Sequence, residues 1–249
     1  MEERKMIYLC LAHMSETGEE QKYVKEAFDT NWVVPLGPNV NGFEEDLKAF
    51  VESSTSEFKS EKLSREVVAL SAGTAAVHLA LLACGVGPGD EVCVQSFTFC
   101  ASSHPITYLG ATPVFIDSER DTWNMDPELL EKAIIDRKEK TGKYPKAIVP
   151  VALYGMPYDC DRIMAIANKY GIPVVEDAAE GFGSRYKGRV LGTFGKFGVL
   201  SFNGNKMITT SGGGALICEN MEDKNLVMWY ATQARDSYPY YQHTAIGYN

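Results

Sequence analysis

The sequence predicts an α/β protein, a three-layer α/β/α arrangement around a mostly parallel seven-stranded sheet. Three observations lead there. From Val67 onward, seven short apolar runs alternate with helix-like segments, the order that builds a parallel sheet with helices on both faces. The runs are apolar throughout instead of alternating, as strands buried on both faces require. With 249 residues, 45% hydrophobic and 23% charged, the chain can fill such a core without disulfides.

Taken in order, residues 1–16 read as extended. Residues 19–29 read as a helix, with Tyr23, Val24, Ala27 and Phe28 on one face. Residues 31–41 carry Pro35, Gly37 and Pro38 and read as a loop. A short helix is expected over Phe43–Val51, then a polar connector over 52–65. The strands are expected at Val67–Leu70, Val92–Gln95, Pro113–Ile116, Ala147–Val151, Pro173–Glu176, Val199–Phe202 and Ala215–Cys218. Helices are expected at Thr74–Cys84, Ala101–Leu109, Pro127–Asp136 and Asp161–Tyr170, and a last one over 222–233. After Tyr238-Pro239-Tyr240-Tyr241 the chain stops at Asn249 without a closing element, so a fragment of a longer polypeptide is expected.

Composition excludes several classes. A net charge of -9 argues against a nucleic-acid partner, because phosphate backbones select clustered Lys and Arg. No apolar run approaches the roughly 20 residues of a membrane span, and Met1-Glu2-Glu3-Arg4-Lys5 does not open a secretory signal. The six cysteines (Cys10, Cys84, Cys93, Cys100, Cys160 and Cys218) lack Cys-x-x-Cys spacing. They read as reduced core residues of a cytoplasmic protein, not as a zinc site. The histidines show no metal spacing, and His78 reads as a satisfied core residue.

Three elements carry chemistry. Val67–Leu70 runs into Ser71-Ala72-Gly73-Thr74 and then a buried helix. Free N–H groups and the helix dipole there make an anion site, with Gly73 permitting close approach and Thr74 adding a hydroxyl; the alternative from the residues alone is a plain tight strand–helix connection. Asp177 ends the run Ile172–Glu176 at the carboxyl edge of a parallel strand, where ligands of open α/β sheets bind. It would hold a proton on a pyridine nitrogen, or else cap a following helix. Lys206 lies between the apolar Val199–Phe202 and the glycine-rich 212–214, suited to Schiff-base formation or to snorkelling. Ser201 adds a hydroxyl nearby. Phe99, after a strand at the same edge, would stack on a planar ring or pack in the core. One amine, one anion site and one carboxylate together are the requirements of pyridoxal 5'-phosphate (PLP).

These pieces occur in an order that resembles the PLP-dependent sugar aminotransferases of the DegT/DnrJ/EryC1/StrS family, from about Ile7 to Asn249. The match covers Pro35-Leu36-Gly37-Pro38, Ser71-Ala72-Gly73-Thr74-Ala75-Ala76, Gly89-Asp90-Glu91-Val92, Thr98-Phe99, Gly110–Asp117 and Tyr154-Gly155. Its most specific parts are Glu176-Asp177-Ala178-Ala179-Glu180 and Ser201-Phe202-Asn203-Gly204-Asn205-Lys206.

The resemblance implies the aspartate aminotransferase fold (fold type I) and a homodimer. It makes Lys206 the Schiff-base lysine, Asp177 the partner of the pyridine nitrogen and Phe99 the stacking ring. Gly73, Thr74 and Ser201 become the phosphate ligands, and Asn249 begins a segment that reaches the neighbouring subunit's phosphate. Glu180 stands where the family often has Gln or His near the ring hydroxyl, and Ala152 where many members carry His. Family dehydratases replace the lysine with histidine, so Lys206 points to transamination. The implied substrates are glutamate as amino donor and a nucleotide-linked keto sugar, a 4-keto-6-deoxy hexose. The implied division is an arm and helix over 1–30, a PLP-binding domain over 31–235, and over 236–249 the start of a linker to a small carboxyl-terminal domain missing from this chain. Another PLP reaction, such as that of a lyase or desulfurase, and a non-catalytic regulatory protein of the same fold are the alternatives.

Overall fold

The computed structural model describes residues 13–56 and 63–249. The extended reading at 1–12, the connector reading at 57–62 and Cys10 lie outside the described residues.

Helix α1 (Glu19–Asp29) forms where the apolar spacing predicts it, yet none of its residues is buried. Helix α2 (Pro38–Ser56) begins earlier than expected. Pro38 ends the predicted loop by heading the helix, where a missing N–H costs nothing. Leu47 and Val51 of α2 reach the core.

The central sheet takes β1 (Glu66–Leu70), β2 (Glu91–Gln95), β3 (Thr112–Ile116), β4 (Ala147–Val149), β5 (Val175–Asp177), β8 (Phe197–Ser201) and β9 (Gly214–Cys218). Hydrogen-bonded orders β3-β2-β4 and β5-β8-β9-β1 are joined by parallel bridges Ile148↔Val174 and Val151↔Asp177. The result is one seven-stranded surface in which β9 alone runs antiparallel, to both β8 and β1. A small hairpin, β6 (Arg185–Tyr186) with β7 (Arg189–Val190), precedes β8; nothing in its polar sequence marked it as a strand pair.

Helices cover both faces. On one side α2, α5 (Pro127–Thr141) and α6 (Cys160–Tyr170) close over Met125, Ile134, Ile148 and Ile163. On the other, α3 (Gly73–Ala83), α4 (His104–Tyr108) and α7 (Met221–Ala231) close over Leu81, Ile106, Phe197 and Val227. Each fully buried Leu or Ile contributes about 2 kcal/mol. Helix α5 starts on Asp126, whose carboxylate accepts the N–H groups of Glu128 (2.7 Å) and Leu129 (3.2 Å), a cap that satisfies otherwise orphaned donors. The helix expected at Ala101–Leu109 is divided into a 3-10 turn at Cys100–Ser102 and the short α4, with Pro105 in the first turn of α4.

Cys93, Cys160 and Cys218 are buried, Cys84 is half-buried and Cys100 is exposed. The core reading therefore fails for Cys100. Burial pushes the thiols of Cys84, Cys93 and Cys218 up to about 12. His78 is also corrected. Its Nε2 is buried without a hydrogen-bond partner, its ring packs edge-on against Tyr108 and Tyr248, and burial lowers its pKa. Among the described residues no helix is long and apolar enough to cross a membrane, and no acidic, His or Cys cluster could hold a metal.

Candidate active site

The parallel strands end on one edge, and the predicted chemistry collects there. Strand β1 leads through Ala72, which is extended (φ -165°, ψ 159°), into Gly73 at the head of α3. The first intrahelical bond runs from Ala76 N–H to Ala72 carbonyl. The N–H groups of Gly73, Thr74 and Ala75 are thus left without intrahelical acceptors. Ser201 ends β8 beside them: a Cβ on Gly73 would stand 3.0 Å from Ser201 Cβ and 3.3 Å from Ser201 Oγ. Gly214, which opens β9 opposite Ser201, approaches the same turn. A Cβ there would meet the Ala72 carbonyl carbon at 2.3 Å. Two positions without side chains therefore hold a hydroxyl and a helix N-terminus close together, a donor set suited to phosphate.

Asp177 ends β5 and is 5% exposed. One oxygen accepts the Ala179 N–H at 3.1 Å and the other accepts the Ser102 hydroxyl at 2.6 Å. Residues 178–180 form a turn, and no helix follows there, so the helix-cap reading of Asp177 is set aside. Burial raises its carboxyl above the usual range. The Ser102 bond, the Ala179 bond and the Lys206 charge pull the other way, and the Glu180 charge adds to the rise. Its neighbour Glu176 faces the opposite side of the sheet, as strand alternation requires, and accepts N–H groups of Gly192 and Phe194.

Lys206 lies in the loop 202–213 that joins β8 to β9, in a turn closed by Lys206 N–H to Asn203 carbonyl (2.9 Å). Its side chain is only 16% exposed and its Nζ is 3.5 Å from Glu180 Oε1. That pairing replaces the snorkelling alternative. Glu180 in turn accepts the Tyr154 N–H at 2.7 Å. Tyr154 sits at φ 51°, ψ 28°, a left-handed conformation rare outside glycine. A shallow hollow lies beside this pair, walled by Glu180, Ser201, Phe202, Met207 and Ile208.

Phe99 is 72% exposed at the same edge, which rules out the core-packing alternative. Asn249 is exposed, and the adjoining Tyr248 packs on His78 of α3.

Sequence reasoning missed Ser102, and it named Tyr154 only within the Tyr154-Gly155 match, without a role. It also missed the buried pair Gln95 and Asn124, whose side chains meet at 3.2 Å. Gln95 binds the Phe97 carbonyl and the Met125 and Val151 N–H groups, while Asn124 binds Leu153 N–H and the Met156 carbonyl. One amide pair thereby fixes the loops after β2 and β4. The only sequence signal for it was a polar Gln95 at the end of an apolar strand.

The model of the DegT/DnrJ/EryC1/StrS aminotransferase family matches residues 14–249. The chain belongs to this family. A relative from Bacillus subtilis (strain 168), EpsN, named among the pyridoxal phosphate-dependent aminotransferases, is 49% identical over 98% of this chain and 60% of its own length. GDP-perosamine synthase from Escherichia coli O157:H7 is 37% identical over 98% of this chain and 62% of its own length. The crystal structure of a family aminotransferase from Brucella abortus superposes with a TM-score of 0.79 at 31% identity, covering 95% of this chain and 63% of that one. The chain thus spans about three fifths of the length of the relatives it matches.

Proposed function

We propose that the protein to which this chain belongs is a PLP-dependent aminotransferase that moves an amino group from glutamate to a nucleotide-linked keto sugar, a 4-keto-6-deoxy hexose, and that it works as a homodimer. The observation that carries the reading is the convergence of Lys206, Asp177 and the Gly73–Ser201 cradle on one sheet edge. The names of the relatives support the substrate class. The residues fit the cofactor: the cradle at Gly73 would be filled by a single Cβ, and the buried carboxylate of Asp177 lies within the field of the Lys206 ammonium.

In this reading the N–H groups at the head of α3, the Thr74 hydroxyl and Ser201 bind the phosphate, and Asn249 serves the phosphate of the neighbouring subunit. When bound, PLP supplies an electron sink that lets an amino-bearing carbon lose its proton. Asp177 keeps a proton on the ring nitrogen, because an anion beside that nitrogen favours its charged form. Lys206 would anchor the cofactor by its amine and, once the donor's amine has displaced it, would carry a proton as general base and acid. Phe99 covers the ring and Glu180 orients Lys206. The region 31–235 is proposed as the cofactor-binding unit.

The test is chemical. PLP added to the protein should give a visible absorbance band, and borohydride should fix the label on Lys206 when the reduced protein is mapped by mass spectrometry. Label on another lysine refutes the assignment. Amino transfer from glutamate to nucleotide-linked 4-keto sugars, measured by keto-acid release, tests the reaction itself.

A further inference from the structure

Ser102 falls within the helix that the sequence predicts over Ala101–Leu109. It is almost wholly buried and lies in the 3-10 turn after Phe99. Its hydroxyl has one proton, which it gives to Asp177 Oδ2 at 2.6 Å across 75 positions of sequence. The Thr98 hydroxyl lies 2.9 Å from the same Ser102 oxygen. With Ser102's proton committed, Thr98 is the donor in that second bond. The backbone N–H of Ser102 closes the turn on the Phe99 carbonyl at 3.1 Å. One residue therefore ties the Phe99 turn to the end of β5.

We infer that Ser102 is a positioning residue that holds the Asp177 carboxylate charged and aimed at the cofactor's ring nitrogen, with Phe99 fixed beside it; this rests on the reading of Asp177 as the pyridine partner. The physical need is plain. Asp177 is buried, and burial favours the neutral acid, which cannot hold a proton on the ring nitrogen. Of the interactions opposing that, the Ser102 bond is the strongest, followed by Ala179 N–H and the Lys206 charge, while the Glu180 charge works against them. A hydrogen bond to an ionised acceptor is about twice as strong as one between neutral groups. Thr98 polarises the Ser102 hydroxyl further in the same direction.

The experiment is PLP binding by the full chain, followed by absorbance from pH 5 to 9. Parent, Ser102→Ala, Ser102→Thr and Asp177→Asn are compared, each with PLP and with the analogue carrying CH in place of the ring nitrogen. The acid-side loss of PLP affinity should move up by about one pH unit or more in Ser102→Ala. Ser102→Thr should restore it, and the analogue should show no such midpoint in any variant. An unmoved midpoint in Ser102→Ala, with the midpoint abolished in Asp177→Asn, overturns the inference and leaves the reading of Asp177 standing. Equal shifts with PLP and the analogue overturn it in favour of a purely structural Ser102. A parent-like profile in Asp177→Asn, or no PLP binding by the parent, overturns the pyridine-partner reading and the inference with it. Should Ser102→Ala fail to fold, Thr98→Val removes only the outer donor. It must shift the midpoint the same way by less, and an unmoved midpoint there counts against the inference equally.

Discussion

The Glu180 carboxylate lies 3.5 Å from the Lys206 ammonium. Its other oxygen holds the N–H of Tyr154, so an ion pair and a left-handed backbone turn share one side chain. Replacing Glu180 by Ala removes both contacts. The expected loss of stability is about 1–2 kcal/mol, mostly from the Tyr154 N–H bond, with weaker PLP binding. Glu180→Gln keeps an acceptor and forfeits only the partly exposed ion pair, a loss of less than about 1 kcal/mol. Urea unfolding of the two variants separates the contributions; equal losses would place the effect in the charge.

Asp177→Asn should slow amino transfer by orders of magnitude while leaving the fold intact, because an amide cannot keep the ring nitrogen protonated. Turnover near the parent rate would reduce Asp177 to a turn-forming residue.

The same residue makes a second claim, about stability without cofactor. Its folded carboxyl is raised above the ordinary value of 3.8. Between that value and the raised one, the folded state holds more protons than the unfolded state, so this group's contribution falls as pH rises. The parent should lose stability across that window relative to Asp177→Asn, and the gap should close toward acid. Denaturant midpoints of both proteins at pH 4 to 7 check the sign; a gap that widens toward acid contradicts it.

Gly73→Ala tests the cradle. Alanine suits a helix start, so stability should change by no more than about 1 kcal/mol. The new Cβ, 3.0 Å from Ser201 Cβ, should lower PLP affinity at least about tenfold. A PLP titration beside a thermal melt measures both. Unchanged affinity would move the phosphate elsewhere.

Among the described cysteines, Cys100 should be alkylated first. It is the exposed one, and the others are sheltered, with burial holding the thiols of Cys84, Cys93 and Cys218 protonated. Bound PLP should slow the labelling, since Cys100 adjoins Phe99. Mass mapping of early label to Cys93 or Cys218 would contradict the burial described.

The parallel strands were legible because burial on both faces leaves an unbroken apolar run. The direction of β9 was not: Gly214–Cys218 is buried throughout, much like β8 beside it, and burial carries no sign of direction. Pro38 misled because the same residue serves a loop and a helix start. At the site, Asp177 and Lys206 stood out by chemical type against apolar surroundings. Ser102 and Tyr154 did not, since their roles depend on partners 75 and 26 positions away that only the strand order brings near.

The backward course of β9 has a consequence for how this architecture can vary. Ser201 and Gly214 are paired across neighbouring strands, so the loop 202–213 leaves and re-enters the sheet at a single point. Lys206 rides on that loop as on a tether with both ends pinned. Residues added or removed between Phe202 and Gly213 would alter the reach of the amine while every strand kept its register. The strands thus set where the loop is pinned, and the length between the pins sets where the amine can go.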